Sequence, residues 1–176
     1  YDYPYLSSSA NHIFDITAGY AATSSLSSST SPSMRAKKIN IYNQMAQTLM
    51  GYDTNGDIRL FDVDGDLTGG TTIDEAIFIN FARLLTKDEI KKGSFSIELG
   101  IYENDEAPFG SRLKLTDISA QNEYRINSPA GEYGILIADS TEGTNLLNET
   151  GTLVAGQKAG LLYYQAGIAV INAKLF

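Results

Sequence analysis

The residues of this chain best placed to do chemistry lie between Asp53 and Asp66, in the run DTNGDIRLFDVDGD. Asp53, Asn55 and Asp57 form one cluster of alternate oxygen-bearing side chains, and Asp62, Asp64 and Asp66 form a second. Hard cations such as calcium take roughly six to eight oxygen ligands, often gathered by one tight loop, so a calcium site is one reading, with these residues as its candidate ligands. The match to an EF-hand loop is partial. Counted from Asp53, Ile58 stands where the sixth-position glycine belongs and Asp64 where the twelfth-position glutamate belongs. Counted from Asp62, Leu67 replaces the glycine and Ile73 the acid. The competing reading takes Asn55-Gly56 and Asp64-Gly65 as ordinary turns around a short strand, Ile58 to Phe61, because N-G and D-G pairs are strong hairpin signals. The turn reading is favoured, and the metal reading stands as its alternative.

Other reactive constellations are weaker. The single histidine, His12, has no nucleophile elbow or H-E-x-x-H helix to work with, and reads as a surface or packing residue. Asp105 and Glu106 form an acidic pair without a second carboxylate at a defined separation, and read as a solvated loop. Gly69 and Gly70 precede a predicted helix as an anion site would, but Asp74 and Glu75 put negative charge where a phosphate would bind. The absence of cysteine excludes a disulfide scaffold, a thiolate metal site and cysteine catalysis. With 13 basic against 21 acidic residues, a formal charge of −8 and a pI near 4.5, nucleic acid is not expected as the main ligand. No apolar run approaches the ~20 residues that span a bilayer, and Tyr1 to Ser9 lack the regions of a signal peptide. A membrane partner is therefore not expected either. These features point away from an enzyme and from any cofactor other than the alternative calcium ion.

The 176 residues are enough for one domain with its own core. The chain starts on YDYPYL without an initiator methionine and ends on INAKLF, which suggests a piece of a longer polypeptide. Residues 1–33 read as an N-terminal arm: a short edge strand within His12 to Tyr20, able to pair with a sheet elsewhere or in another subunit, then a Ser-rich connector, Ser24 to Ser33. Residues 34–176 read as a single α+β domain. Ser31 and Pro32 open a helix whose apolar residues Ile41, Tyr42, Met45 and Leu49 recur at helical spacing up to Gly51. Thr72 to Glu75 fits a capping box, which predicts a second main helix over IDEAIFINFARLL, apolar almost all round and so buried on more than one side. A third, short helix is expected from Thr86 to Gly93. From Ser94 the period changes to two, and strands are predicted at 94–101, 112–118, 123–127, 132–138, 152–155, 160–164 and 168–175. Two main helices in the N-terminal half, followed by a block of strands, imply an antiparallel β-sheet or small sandwich in the C-terminal half. Eleven tyrosines and no tryptophan fit either subunit contacts or simple strand composition.

The segments KKINIYNQMAQTLMGYD, IDEAIFINFARLLTKDEIKKGSFSIELG, NSPAGEYGILIADS and AGLLYYQAGIAVINAKLF carry a resemblance to large virion structural proteins of marine contractile-tailed phages, of the cyanophage type. It extends from about Lys37 to the end and covers the Ser-rich N-terminal portion least. It carries no catalytic signature and transfers no site residue. What it implies is a virion structural or assembly protein of the tail, baseplate or fibre attachment, or of the head. Such a protein would act through packing against copies of itself and other virion proteins. A calcium-stabilised binding or adhesion module using the Asp-rich loop 53–66 is the alternative function.

Overall fold

A computed structural model describes residues 14–29, 31–85, 89–100, 112–138 and 156–175. Its framework is an eight-stranded sheet in which every pairing is antiparallel. In chain order the strands are β1 (Asp15–Tyr20), β2 (Glu75–Asn80), β3 (Ser96–Gly100), β4 (Arg112–Thr116), β5 (Tyr124–Arg125), β6 (Tyr133–Ala138), β7 (Lys158–Tyr163) and β8 (Ile168–Asn172). Across the sheet the order is β1-β2-β8-β7-β6-β4-β3, with β5 hydrogen-bonded to β6. The sheet curls strongly into a half-barrel, and the pairing of β6 with β7 is irregular at Leu136/Ile137. Two helices, α1 (Leu26–Ser29) and α2 (Pro32–Leu49), lie in the N-terminal half. The architecture is thus mostly antiparallel sheet with a helical N-terminal portion.

The central strands bury both faces, which gives two cores. Tyr42, Ala46, Leu49, Phe61, Ile73, Phe78, Ile135, Leu161, Tyr163 and Val170 pack on the α2 side. Ile79, Leu113, Leu115, Leu136, Leu162, Tyr164, Ala169 and Ile171 pack on the other. Adjacent residues therefore divide between cores, as in Ile135/Leu136, Leu161/Leu162 and Val170/Ile171, as the two-residue period of a strand requires.

That arrangement corrects the predicted helix over IDEAIFINFARLL. Residues Glu75–Asn80 form β2, paired with β1 on one side and β8 on the other. A strand buried on both faces is apolar at successive positions, and over so short a run this cannot be told from a buried helix by periodicity. The capping box does not form: Thr72 Oγ1 donates to Asp74 Oδ1 at 2.6 Å, and Glu75 Oε1 accepts from Ser24 Oγ at 2.7 Å. Ser24 is buried and its hydroxyl also accepts the Leu26 N–H at 3.1 Å. The Ser-rich segment is accordingly not a bare connector, since it is anchored to β2 and carries the single turn α1. The short helix expected from Thr86 begins outside the described residues, and 89–93 is not helical. The strand expected at 152–155 also lies outside the described residues.

Helix α2 fits its sequence signals more closely. Pro32 occupies its start, Ser31 sits at the cap position without a side-chain cap hydrogen bond, and Tyr42, Ala46 and Leu49 form the buried stripe. At the other end the N–H groups of Met50 and Gly51 both donate to Ala46 O, and Gly51 takes the left-handed conformation, φ 74°. The helix packs on β1 at Gly19, where an added Cβ would lie 2.8 Å from both Lys38 O and Tyr42 N. Only a residue without a side chain permits that approach. A Gly19→Ala substitution should therefore destabilise the fold by about 1–3 kcal/mol, read as a lower urea midpoint. An unchanged midpoint would contradict the close packing of α2 on β1.

Candidate functional site

The second aspartate cluster sits on a loop, residues 62–72, whose neck is closed by the backbone. Ile73 N–H donates to Phe61 O at 2.8 Å, Val63 N–H donates to Thr71 O at 3.1 Å, and Asp62 and Thr72 form an antiparallel bridge. Tyr42 reaches this neck from α2. Its buried hydroxyl donates to Ile73 O at 2.7 Å and accepts Phe61 N–H at 3.3 Å, while its ring meets Phe61 and Phe78 edge-on. Burial holds the Tyr42 hydroxyl well above its ordinary pKa.

The tip of the loop is held by residues from the far half of the chain. Asn127 Nδ2 donates to Gly65 O at 2.9 Å, and the Tyr133 hydroxyl lies 2.6 Å from Asn127 Oδ1 and 3.3 Å from Gly65 O. Arg125 Nε donates to Asp64 O at 3.2 Å, and Lys158 Nζ pairs with Asp64 Oδ2 at 3.4 Å. Gly65 is required here: its φ is 69°, and a Cβ would lie 2.9 Å from the Tyr133 hydroxyl. The predicted Asp64-Gly65 turn thus has a partner surface supplied by β5, β6 and β7.

Asp62, Asp64 and Asp66 each present a carboxylate oxygen within 4.8 Å of the others. Asp62 is 4% exposed; its Oδ2 accepts Leu67 N–H at 2.9 Å, and its Oδ1 has no hydrogen-bond partner. Burial, the largest effect, and the neighbouring Asp64 carboxylate raise the Asp62 pKa against the lowering influence of the Leu67 N–H. At Asp64 burial also opposes ionisation, but the Asp66 N–H and the Lys158 ammonium outweigh it and hold that carboxyl below its ordinary range. Asp66 Oδ1 accepts Thr68 N–H at 2.8 Å. Leu67, the residue that breaks the EF-hand pattern at its sixth position, adopts at φ 61° the left-handed conformation that the pattern reserves for glycine.

The first cluster is built differently. Asp53 Oδ1 accepts the N–H groups of Asn55 at 2.8 Å and Asp57 at 2.9 Å, Gly56 has φ 88°, and Tyr52 bridges Ile58. The Asp57 N–H is the main cause of a lowered Asp53 pKa. This is a self-contained Asx-type turn, and Asp53, Asn55 and Asp57 do not join the carboxylate group of the second cluster. The segment between the two turns makes isolated bridges rather than the expected strand. A cavity of about 540 Å³ opens between the clusters, lined by Asp53, Arg59, Asp62, Leu67, Gly70 and Thr72 among others. His12, Asp105 and Glu106 lie outside the described residues.

Four tyrosines are core residues with internally tied hydroxyls. Besides Tyr42 and Tyr133, Tyr163 contacts Met50 Sδ at 2.8 Å and Tyr164 donates to Asp117 Oδ2 at 3.1 Å. Buried Asp117 also accepts the Gly93 and Phe95 N–H groups, both at 2.8 Å, so it joins β4 to the start of β3. At these positions tyrosine serves the interior of the sheet. Tyr1, Tyr3 and Tyr5 lie outside the described residues.

No family model matches this chain, and neither the curated proteins nor the solved structures compared with it give a match.

Two outcomes follow from the buried hydroxyls. Tyr42→Phe leaves Ile73 O and Phe61 N–H without their shared partner and should cost about 1–3 kcal/mol in denaturant unfolding; an unchanged stability would contradict the clamp. Burial raises the Tyr133 pKa to about 12, and the other three hydroxyls are raised as well. In the unfolded chain tyrosine ionises near pH 10, so the unfolded state loses protons first. The stability due to these neutral, buried groups is complete below pH 10 and falls as pH rises through 12. Melting temperature should decline across that window, less steeply in Tyr133→Phe; a flat profile would contradict their burial.

Proposed function

We propose that this chain is a structural component of a phage virion, in the tail, baseplate or fibre attachment, acting through subunit packing rather than catalysis. The observation that carries the reading is the end of the sheet at β1. This strand pairs with β2 on one side, and among the described residues no strand pairs with its other side. Ile16 is 60% exposed and Phe14 39%, and the Phe14 ring lies 5.9 Å from that of Phe81 in a tilted contact, so this end of the sheet carries exposed apolar side chains. A strand at the end of a sheet is where a further strand can be added, and apolar neighbours supply the burial such an addition needs. The resemblance of the segments from Lys37 onward supports the same reading. Its partners are copies of this chain and other virion proteins. Among the described residues no helix is long and apolar enough to cross a membrane.

Immunogold electron microscopy of purified phage particles should place an antibody against this chain at one repeated position on the particle. Recovery of the chain only from the particle-free fraction would contradict the proposal. Ile16→Lys, which puts charge on the exposed end strand, should reduce incorporation while leaving the melting temperature of the isolated chain within about 2 °C, as expected for an exposed site.

A further inference from the structure

We propose that Asp62, Asp64 and Asp66 bind one calcium ion, which fixes the 62–72 loop against β5, β6 and β7. The inference is independent of the assembly role. The three carboxylates supply hard oxygen donors, and the group is no wider than 4.8 Å. Calcium holds its oxygens at roughly 2.3–2.6 Å and so spans about 5 Å between opposite ligands, which accommodates the group without rearrangement. Lys158 already pairs with Asp64.

The independent observation is Asp62 Oδ1. The residue is more than nine-tenths buried, its other oxygen is committed to the Leu67 N–H, and no donor reaches Oδ1. A Cβ placed on Gly70 would lie 3.8 Å from this oxygen, so it faces across the 62–72 loop toward Gly70. A buried carboxylate oxygen without a partner is costly, and a cation held inside the loop removes that cost.

Terbium luminescence excited through tyrosine tests the site, since Tyr133 touches the loop at Gly65 and the chain has no tryptophan. Terbium should luminesce on binding the intact chain, and calcium should displace it. Calcium at millimolar concentration should raise the melting temperature by about 2–8 °C over a chelator control. Asp62→Asn and Asp64→Asn should each weaken terbium binding about tenfold or more and abolish the calcium-dependent shift, whereas Asp57→Asn, in the first turn, should behave as the unmodified chain. Exposed Asp66→Asn gives the same discrimination if Asp62→Asn does not fold. Absence of both signals at millimolar calcium, or loss of binding in Asp57→Asn with retention in Asp64→Asn, would overturn the assignment.

Discussion

The hydroxyl of Tyr42 lies inside the core on the α2 side of the sheet, where an unmade hydrogen bond costs about 1–3 kcal/mol, and the backbone at Phe61 and Ile73 meets it from both sides. This one contact joins three parts of the chain that are distant in sequence. It fixes the helix, it closes the neck of the acidic loop, and it places the segment leading into β2. The loop inherits the rigidity of the core although most of its own side chains are polar. A second tyrosine, Tyr133, acts in the same way at the tip through Asn127 and Gly65. The aspartates therefore sit on a frame held at both ends, which is what a group of like charges requires in order to stay together.

Under the proposed assembly role, a partner attaches at an end of the sheet. Its central strands are covered on both faces by the two cores, and among the described residues β1 and β3 lie at the ends of the sheet. At the β1 end, helix α2 covers the strand closely enough to require Gly19, while Phe14 and Ile16 remain exposed beside it. Burial of one part of β1 and exposure of another suits a strand that is anchored in its own sheet and extended by another. The acidic loop and the β1 end of the sheet are separate features with different chemistry.

Local signals were legible in the sequence where one residue or one turn determines structure. Pro32 marked the start of α2, the alternation from Ser94 marked β3, and Asp64-Gly65 marked a turn that does form. The strand within 12–20 was read as an edge strand, and β1 lies at the end of the sheet. Beta2 was read as a helix because burial on two faces erases the two-residue period, and Thr72 to Glu75 mimics a capping box whose side chains instead bond Asp74 and Ser24. In the site, the three aspartates of the second cluster were legible, but their setting was not. Arg125, Asn127, Tyr133 and Lys158 reach the loop from 61 to 94 residues away, and no spacing rule connects such positions. Neither could the sequence tell that Leu67 would adopt a glycine-like conformation, since the flanking hydrogen bonds impose it.

The clamp at the neck of the loop is open to direct measurement by native-state amide hydrogen exchange resolved by residue. If Tyr42 ties residues 61 and 73 into the core, the amides of Phe61 and Ile73 should exchange only through global unfolding, at the same opening free energy as the amides of β2. Exchange of those two amides at the rate of an open surface loop, with β2 still protected, would contradict a loop held by the core.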